Sequence, residues 1–180
     1  MTSVLGLVGG PAPGGRTCAA VSGVLAGATN AGAMTSLVEL SETSSEQVTA
    51  AIEAADAVVF GSPVYRATYS ALLKQVLETT ERGMWGETSA PLRGKAAAVV
   101  LTGASGHHFL AQNDLRNVLA GFFAVQVLSP GLYLDQAGFL DRTTLAPDSA
   151  ALAAAHGAAL TALAAAVRGS KALSALTPQV

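Results

Sequence analysis

The chain has 180 residues, 51% hydrophobic and 12% charged, with a formal net charge of −2. That length suffices for one domain with a full core, and a balance so near neutral leaves no electrostatic footprint for nucleic acid or anionic lipid. The sparse charge suggests that part of the exterior is covered in an oligomer, and the single cysteine, Cys18, excludes a disulfide frame or thiolate metal site and fits a reducing, cytoplasmic setting.

Taken in order, the opening MTSVLGLVGG lacks the basic residues of a signal peptide. Within it SVLGLVG (3–9) reads as a β run ending in glycines. From Thr17, Val21, Val24, Leu25 and Ala28 recur at helical spacing. MTSLVEL (34–40) is a second strand. Ser44 and Gln47 form a capping box before a helix carrying Val48, Ala51, Ile52 and Ala55. AVVFGS is the third strand, and Tyr69, Leu72, Leu73, Val76 and Leu77 mark the third helical face. KAAAVVLT (95–102) is the fourth strand, followed by a helix with Leu115, Val118, Leu119 and Phe122. VQVLSPGLYL is the fifth strand. The last helix, Ser149 to Val167, has no formal charge. Its strongly apolar residues, Leu152, Leu160, Leu163 and Val167, share one face, which reads as a packing helix rather than a membrane span. The tail from Gly169 is expected to be loose.

Strands alternate with helices, and the strands are continuous apolar runs, the pattern of a sheet covered on both faces. The expectation is one α/β domain over 1–180. It is a flavodoxin-like three-layer α/β/α sandwich with a five-stranded parallel sheet in the order 2-1-3-4-5.

In that order strands 1, 3 and 4 are neighbours, and each is followed by a loop of small or hydroxylated residues: GGPAPGGRT, GSPVYRATYS and TGASGHHF. Parallel strands bring all three loops to one sheet edge, at the switch point where such folds bind ligands. The first loop enters a helix N-terminus, which favours anions; Arg16 adds charge and Thr17 a hydroxyl, a set suited to phosphate. In the second, Pro63 stiffens the chain and Tyr65 offers a flat aromatic beside Arg66. In the third, Gly103, Ser105 and Gly106 offer backbone hydrogen bonds to a ring edge. The first two loops have plainer alternatives: a glycine turn with Arg16 in solvent, and Tyr65 in a subunit contact. His107 and His108 are adjacent, point in different directions and have no further ligand at metal spacing, so they read as polar helix-start residues. Trp85 reads as a packing residue, with the substrate side and a subunit interface as alternatives.

Two motif readings fail on detail. GPAPGGRT (10–17) matches a phosphate-binding P-loop except that Arg16 replaces lysine, and no strand ending in Asp follows. GASG lacks the residue needed between Ser105 and the second glycine of a hydrolase elbow.

SPVYRATYSALLKQVLE, with TGASGHH after the fourth strand, resembles the NADPH-dependent FMN reductase family, in particular the branch of alkanesulfonate-assimilation flavin reductases. The resemblance covers roughly residues 3–167. It implies FMN, with hydride transfer to it from NADPH or NADH, and a homodimer or homotetramer with the flavin near a subunit interface. It also implies a flavin-dependent monooxygenase as a partner. The candidate cofactor residues are Gly10, Arg16, Thr17 and Cys18 in the first loop and helix; Pro63, Val64, Tyr65 and Arg66 in the second loop; and Thr102, Gly103, Ala104, Ser105 and Gly106 in the third. Arg66 and His107 are candidates for contact with the nicotinamide or substrate. The first loop departs from the family's G-S-x-R-x-x-S: Gly10 stands for the serine and Ala12 for the first arginine, which suits a reductase that releases reduced flavin. The fourth helix, at Gln112 to Leu115, lacks the aromatic residue inserted in some members of that branch. Quinone or azo reduction on bound FMN uses the same half-reaction, and a non-enzymatic flavin electron carrier is the alternative outside enzymes. Such carriers are typically strongly acidic, which this chain is not.

Overall fold

The computed structural model describes residues 1–179. Its elements in chain order are β1 (Ser3–Val8), α1 (Gly15–Asn30), β2 (Met34–Glu39), α2 (Ser45–Ala54), β3 (Ala57–Tyr65), β4 (Thr68–Tyr69), α3 (Ala71–Thr79), β5 (Ala96–Thr102), α4 (Gln112–Asn117), β6 (Gln126–Val127), β7 (Leu132–Leu134), α5 (Pro147–Gly169) and α6 (Lys171–Ser174). The parallel sheet runs β2-β1-β3-β5-β6, with β7 also paired to β5. This is the expected order, with its last position shared by two short strands. The expected fifth strand is broken between them because Pro130 has no N–H to give the ladder. β6 therefore pairs beside Ala96 and Ala97, and β7 beside Val100 to Thr102.

Side chains alternate across each strand. In β1, Val4 and Val8 pack beneath α1 and α5 with Val21, Val24, Leu160 and Val167. Leu5 and Leu7 face the opposite layer, with Ile52, Leu73, Leu77, Leu115 and Leu119. Both faces of the central strands are thus buried, which is why those strands read as unbroken apolar runs.

Several segments differ from expectation. The third strand does not stop at Ser62 but runs to Tyr65 and folds back as a hairpin, Val64 opposite Tyr69 and Tyr65 opposite Thr68. Tyr69 therefore lies in a strand, not on α3, although it is buried as a core position should be. After α4 the chain takes one π-helical turn, Val118–Phe122. That wider turn shifts the helical register, so Phe122 is exposed and Phe123 enters the core instead. Beyond Gly169 the tail forms α6, capped by the Ser170 hydroxyl on the Leu173 amide, and Pro178 is buried.

α5 is the one helix among the described residues long and apolar enough to cross a bilayer by length and composition. Its Ala153, Gly157, Leu160, Ala164 and Val167 face is buried in the layer with α1, as a core helix is. Leu152, expected on that face, is exposed.

Candidate functional site

Gly14 and Gly15 carry φ of 72° and 85°, values open to glycine and strained for other residues, and they turn the chain from β1 into α1. No side chain caps α1 and no acidic residue sits in its first turn. The Gly14 amide donates to Glu39 Oε1 at 2.9 Å, which fixes the loop from behind. The first turn of α1 thus presents N–H groups and the positive end of its dipole to the sheet edge.

The Thr17 and Thr102 hydroxyls meet at 2.7 Å, both buried. The pair ties α1 to the end of β5. Two hydroxyls share two protons and the bond between them uses one, so one O–H remains to donate. Thr17 is therefore first a cross-link, a role its position in the loop did not reveal.

The second loop is built by serines. Ser62 accepts from the Ser70 amide at 2.8 Å and donates to the Pro63 carbonyl at 2.8 Å; Ser70 then caps α3 at the Leu73 amide. These bonds hold the hairpin so that Pro63, Val64 and Tyr65 form a wall, with Tyr65 51% exposed. At the hairpin tip Arg66 and Ala67 both have positive φ, 51° and 66°. In the third loop, the Tyr133 hydroxyl donates to the Ser105 carbonyl at 2.6 Å and packs where a Cβ on Gly103 would stand. Burial, with the nearby Asp135 charge, pushes the Tyr133 phenol up, so it stays a neutral donor.

Together these loops enclose a cleft of roughly 590 Å³ at the C-terminal edge of the sheet. Gly10, Arg16, Thr17, Pro63, Val64, Tyr65, Thr102, Gly103 and Ala104 all line it. The four other expected residues do not. Cys18 follows Thr17 by one helical step, about 100° around α1, and lies in a shallow groove with Ser22 and Leu145. Burial, then the hydrogen bond and charge of Glu39, push its thiol up, which keeps it protonated. Arg66 is exposed at the hairpin tip. Ser105 spends its carbonyl on Tyr133 and sets its hydroxyl 3.3 Å from His107 Nδ1. Gly106 begins a 3-10 turn whose His107 and His108 are exposed. Trp85 does not pack as expected: it is 83% exposed, with the Arg82 guanidinium 5.0 Å from its ring centroid.

Outside the three expected loops, two lining residues escaped the sequence reading, Gln136 and Arg142. They follow β7, and a parallel sheet sends that connection to the same edge as the other three. The topology was thus a signal for them, although the local sequence carries no motif.

The fit to a flavin nucleotide rests on this donor set. The cleft volume is in the range of sites that hold a cofactor-sized ligand. The first turn of α1, Arg16 and Arg142 line the cleft, with walls of small residues, a proline and an exposed tyrosine. Among the described residues, no carboxylate, histidine or cysteine side chain lines it. A cleft without acid or base groups suits a ligand that brings its own reactivity.

The order of strands and the cleft at their C-terminal edge define a flavodoxin-like α/β protein with a ligand site at the switch point. The chain belongs to the NADPH-dependent FMN reductase family, whose model matches residues 2–139. It is 35% identical over 89 residues to the NADH-dependent FMN reductase SfnF of Pseudomonas putida, a match covering 49% of this chain and 44% of that protein. Against SfnF of Pseudomonas fluorescens (strain Pf0-1) it is 32% identical over 91 residues, 51% of this chain and 45% of that one. The chain thus matches less than half the length of these curated relatives. The fold is similar to that of a crystallised NADH:FMN oxidoreductase (EMOB) in its apo form, with a TM-score of 0.77 at 20% identity, covering 97% of this chain and 94% of that one. It is also similar to a WrbA-like flavodoxin from Agrobacterium tumefaciens, with a TM-score of 0.71 at 20% identity, covering 92% and 98%.

Proposed function

We propose that this protein is an NAD(P)H-dependent FMN reductase that holds FMN in the cleft between its first three βα loops. The observation that carries the reading is the convergence of nine expected residues on one cleft whose cationic, N–H-rich end lies beside an aromatic and small-residue wall. When bound, FMN supplies the hydride-accepting chemistry. The chain's own residues bind and orient. The first turn of α1 with Arg16 receives the phosphate, and the O–H left over from the Thr17–Thr102 pair donates into the cleft. Pro63, Val64, Tyr65 and Gly103 to Ala104 line the ring, with Gly10 at the base of the first loop. Ser105 and Gly106 shape the third loop, Cys18 supports α1 from behind, and Arg66 and His107 stand outside the cleft, where a nicotinamide would approach.

The same reading covers the wider setting. The protein works in a cytoplasmic compartment and passes reduced FMN to a flavin-dependent monooxygenase. It assembles as a homodimer or homotetramer, supported by exposed Phe109, Leu110 and Leu152 around a groove beside the third loop. Sedimentation tests that assembly: a monomer at micromolar concentration would remove it.

The test of activity is oxidation of NADPH and NADH at 340 nm, with and without added FMN. Turnover that requires FMN is the expected result. Nicotinamide oxidation absent with FMN but present with a quinone would move the reading to quinone reduction. Binding without any oxidation would leave a flavin carrier.

A further inference from the structure

We propose that Arg142 is a phosphate-binding residue of the cleft, holding the 5′-phosphate of FMN together with Arg16 and the first turn of α1. This rests on the flavin reading above. Arg142 lies three residues beyond the segment that the family model matches, so family membership does not supply it.

The residue is presented rigidly. It sits in a tight turn between Phe139 and Leu145, which form an antiparallel bridge. The Leu140 amide donates to the Thr144 carbonyl and the Ala146 amide to the Gly138 carbonyl, each at 2.9 Å. Asp141 Oδ1 accepts from the Thr143 amide at 2.7 Å and the Thr143 hydroxyl at 3.1 Å. Asp141 is thus occupied within its own turn and does not pair with Arg142. Hydrogen bonds from the Thr143 amide first and then the Thr144 side chain hold its carboxyl below the usual range.

The turn places the Arg142 guanidinium over the start of α1: its Nε lies 3.4 Å from where a Cβ on Gly15 would stand. Arg16 lines the same cleft and rests against the Phe139 ring, with its guanidinium 5.7 Å from the ring centroid. Neither arginine makes an ion pair among the described residues. Glu39, the carboxylate that reaches the first loop, binds the Gly14 amide from behind and does not line the cleft. Among the described residues, the cleft lined by Arg16, Arg142 and the start of α1 thus holds no carboxylate to pair with either arginine. A phosphate dianion there would give both arginines charge-assisted contacts beside the helix N-terminus. Arg142 also adds a forked donor geometry suited to phosphate.

The experiment is equilibrium titration of the full chain with FMN and, in parallel, riboflavin, followed by flavin fluorescence. It compares wild type with Arg142→Gln and Arg142→Lys, with thermal unfolding to check each fold. The expected result is a Kd for FMN raised about tenfold by Arg142→Gln, a Kd for riboflavin within about twofold of wild type, and an intermediate value for Arg142→Lys. An unchanged FMN Kd overturns the proposal and leaves the flavin reading intact. Equal weakening of both flavins overturns it too, because the turn would then shape the cleft rather than hold phosphate. Failure of wild type to bind either flavin removes the flavin reading itself, and this proposal with it.

Discussion

Thr17 on α1 and Thr102 at the end of β5 are 85 residues apart in sequence, and their buried 2.7 Å bond makes the floor of the cleft depend on both. Thr17→Val keeps the shape and strands the Thr102 hydroxyl in a buried site, which costs about 1–3 kcal/mol. The double variant Thr17→Val/Thr102→Val leaves nothing unpaired and should recover most of that loss. Urea unfolding of the set checks this; a neutral single variant would mean that the bond contributes nothing. Asp56 gives a second test at this scale. Burial pushes its carboxyl up, but hydrogen bonds from the Ser3 amide and hydroxyl and the charge of Arg168 at 2.8 Å outweigh burial and hold it below the usual range. A folded pKa below the unfolded one means stability that is fully present above the unfolded value, about 3.9, and lost as pH falls through the folded value. Asp56→Asn should therefore be less stable than wild type near pH 7, with the gap closing as pH drops below about 4. A gap independent of pH would contradict the ionic account. Sequence showed which residue types face the cleft, but not which hydroxyls are already taken, since Thr17 reads alike as phosphate ligand or cross-link.

The hairpin of β3 and β4 and the crossing of α1 with α5 show where element-level reading stopped. GSPVYRATYS looked like a loop because Gly, Ser and Pro usually end strands. Ser62 instead uses its hydroxyl to carry the strand round into a hairpin. The tip has two residues in the left-handed region without glycine or asparagine, which costs about 1 kcal/mol or more for each. Ala67→Gly should raise stability by roughly 0.5–1 kcal/mol, after allowing for the greater freedom glycine gives the unfolded chain. Thermal unfolding tests it, and a fall in stability would show that no strain is held there. In the α1–α5 crossing, a Cβ on Gly157 would run into the Val24 carbonyl, and one on Gly27 into Ala154. The helices meet backbone to backbone, a contact that periodicity cannot reveal because it marks which face is apolar and not how closely two faces approach. Gly157→Ala should destabilise by about 1–3 kcal/mol through overpacking, even though alanine favours an isolated helix by about 1 kcal/mol. A stabilised variant would contradict the close crossing.

At the scale of the molecule, the alternation of apolar runs and amphipathic segments made the layer order and strand order readable. A strand buried on both faces and a helix buried on one leave different periodicities. The sheet edge carrying the three small-residue loops followed from that topology, and nine of the thirteen expected site residues meet there. Less legible were features set by tertiary geometry: the break at Pro130, the π turn that exchanges Phe122 for Phe123, and the fourth connection that brings Gln136 and Arg142 to the cleft. The most direct measurement of the whole account is a visible-spectrum titration of FMN into the purified chain and into Ala104→Trp, followed by NADPH or NADH in the same cuvette. The account expects about one FMN per chain, a perturbed flavin spectrum that bleaches with nicotinamide, and loss of binding when a tryptophan fills the cleft wall at Ala104. FMN binding that Ala104→Trp leaves unchanged, or no binding to wild type at all, would contradict it.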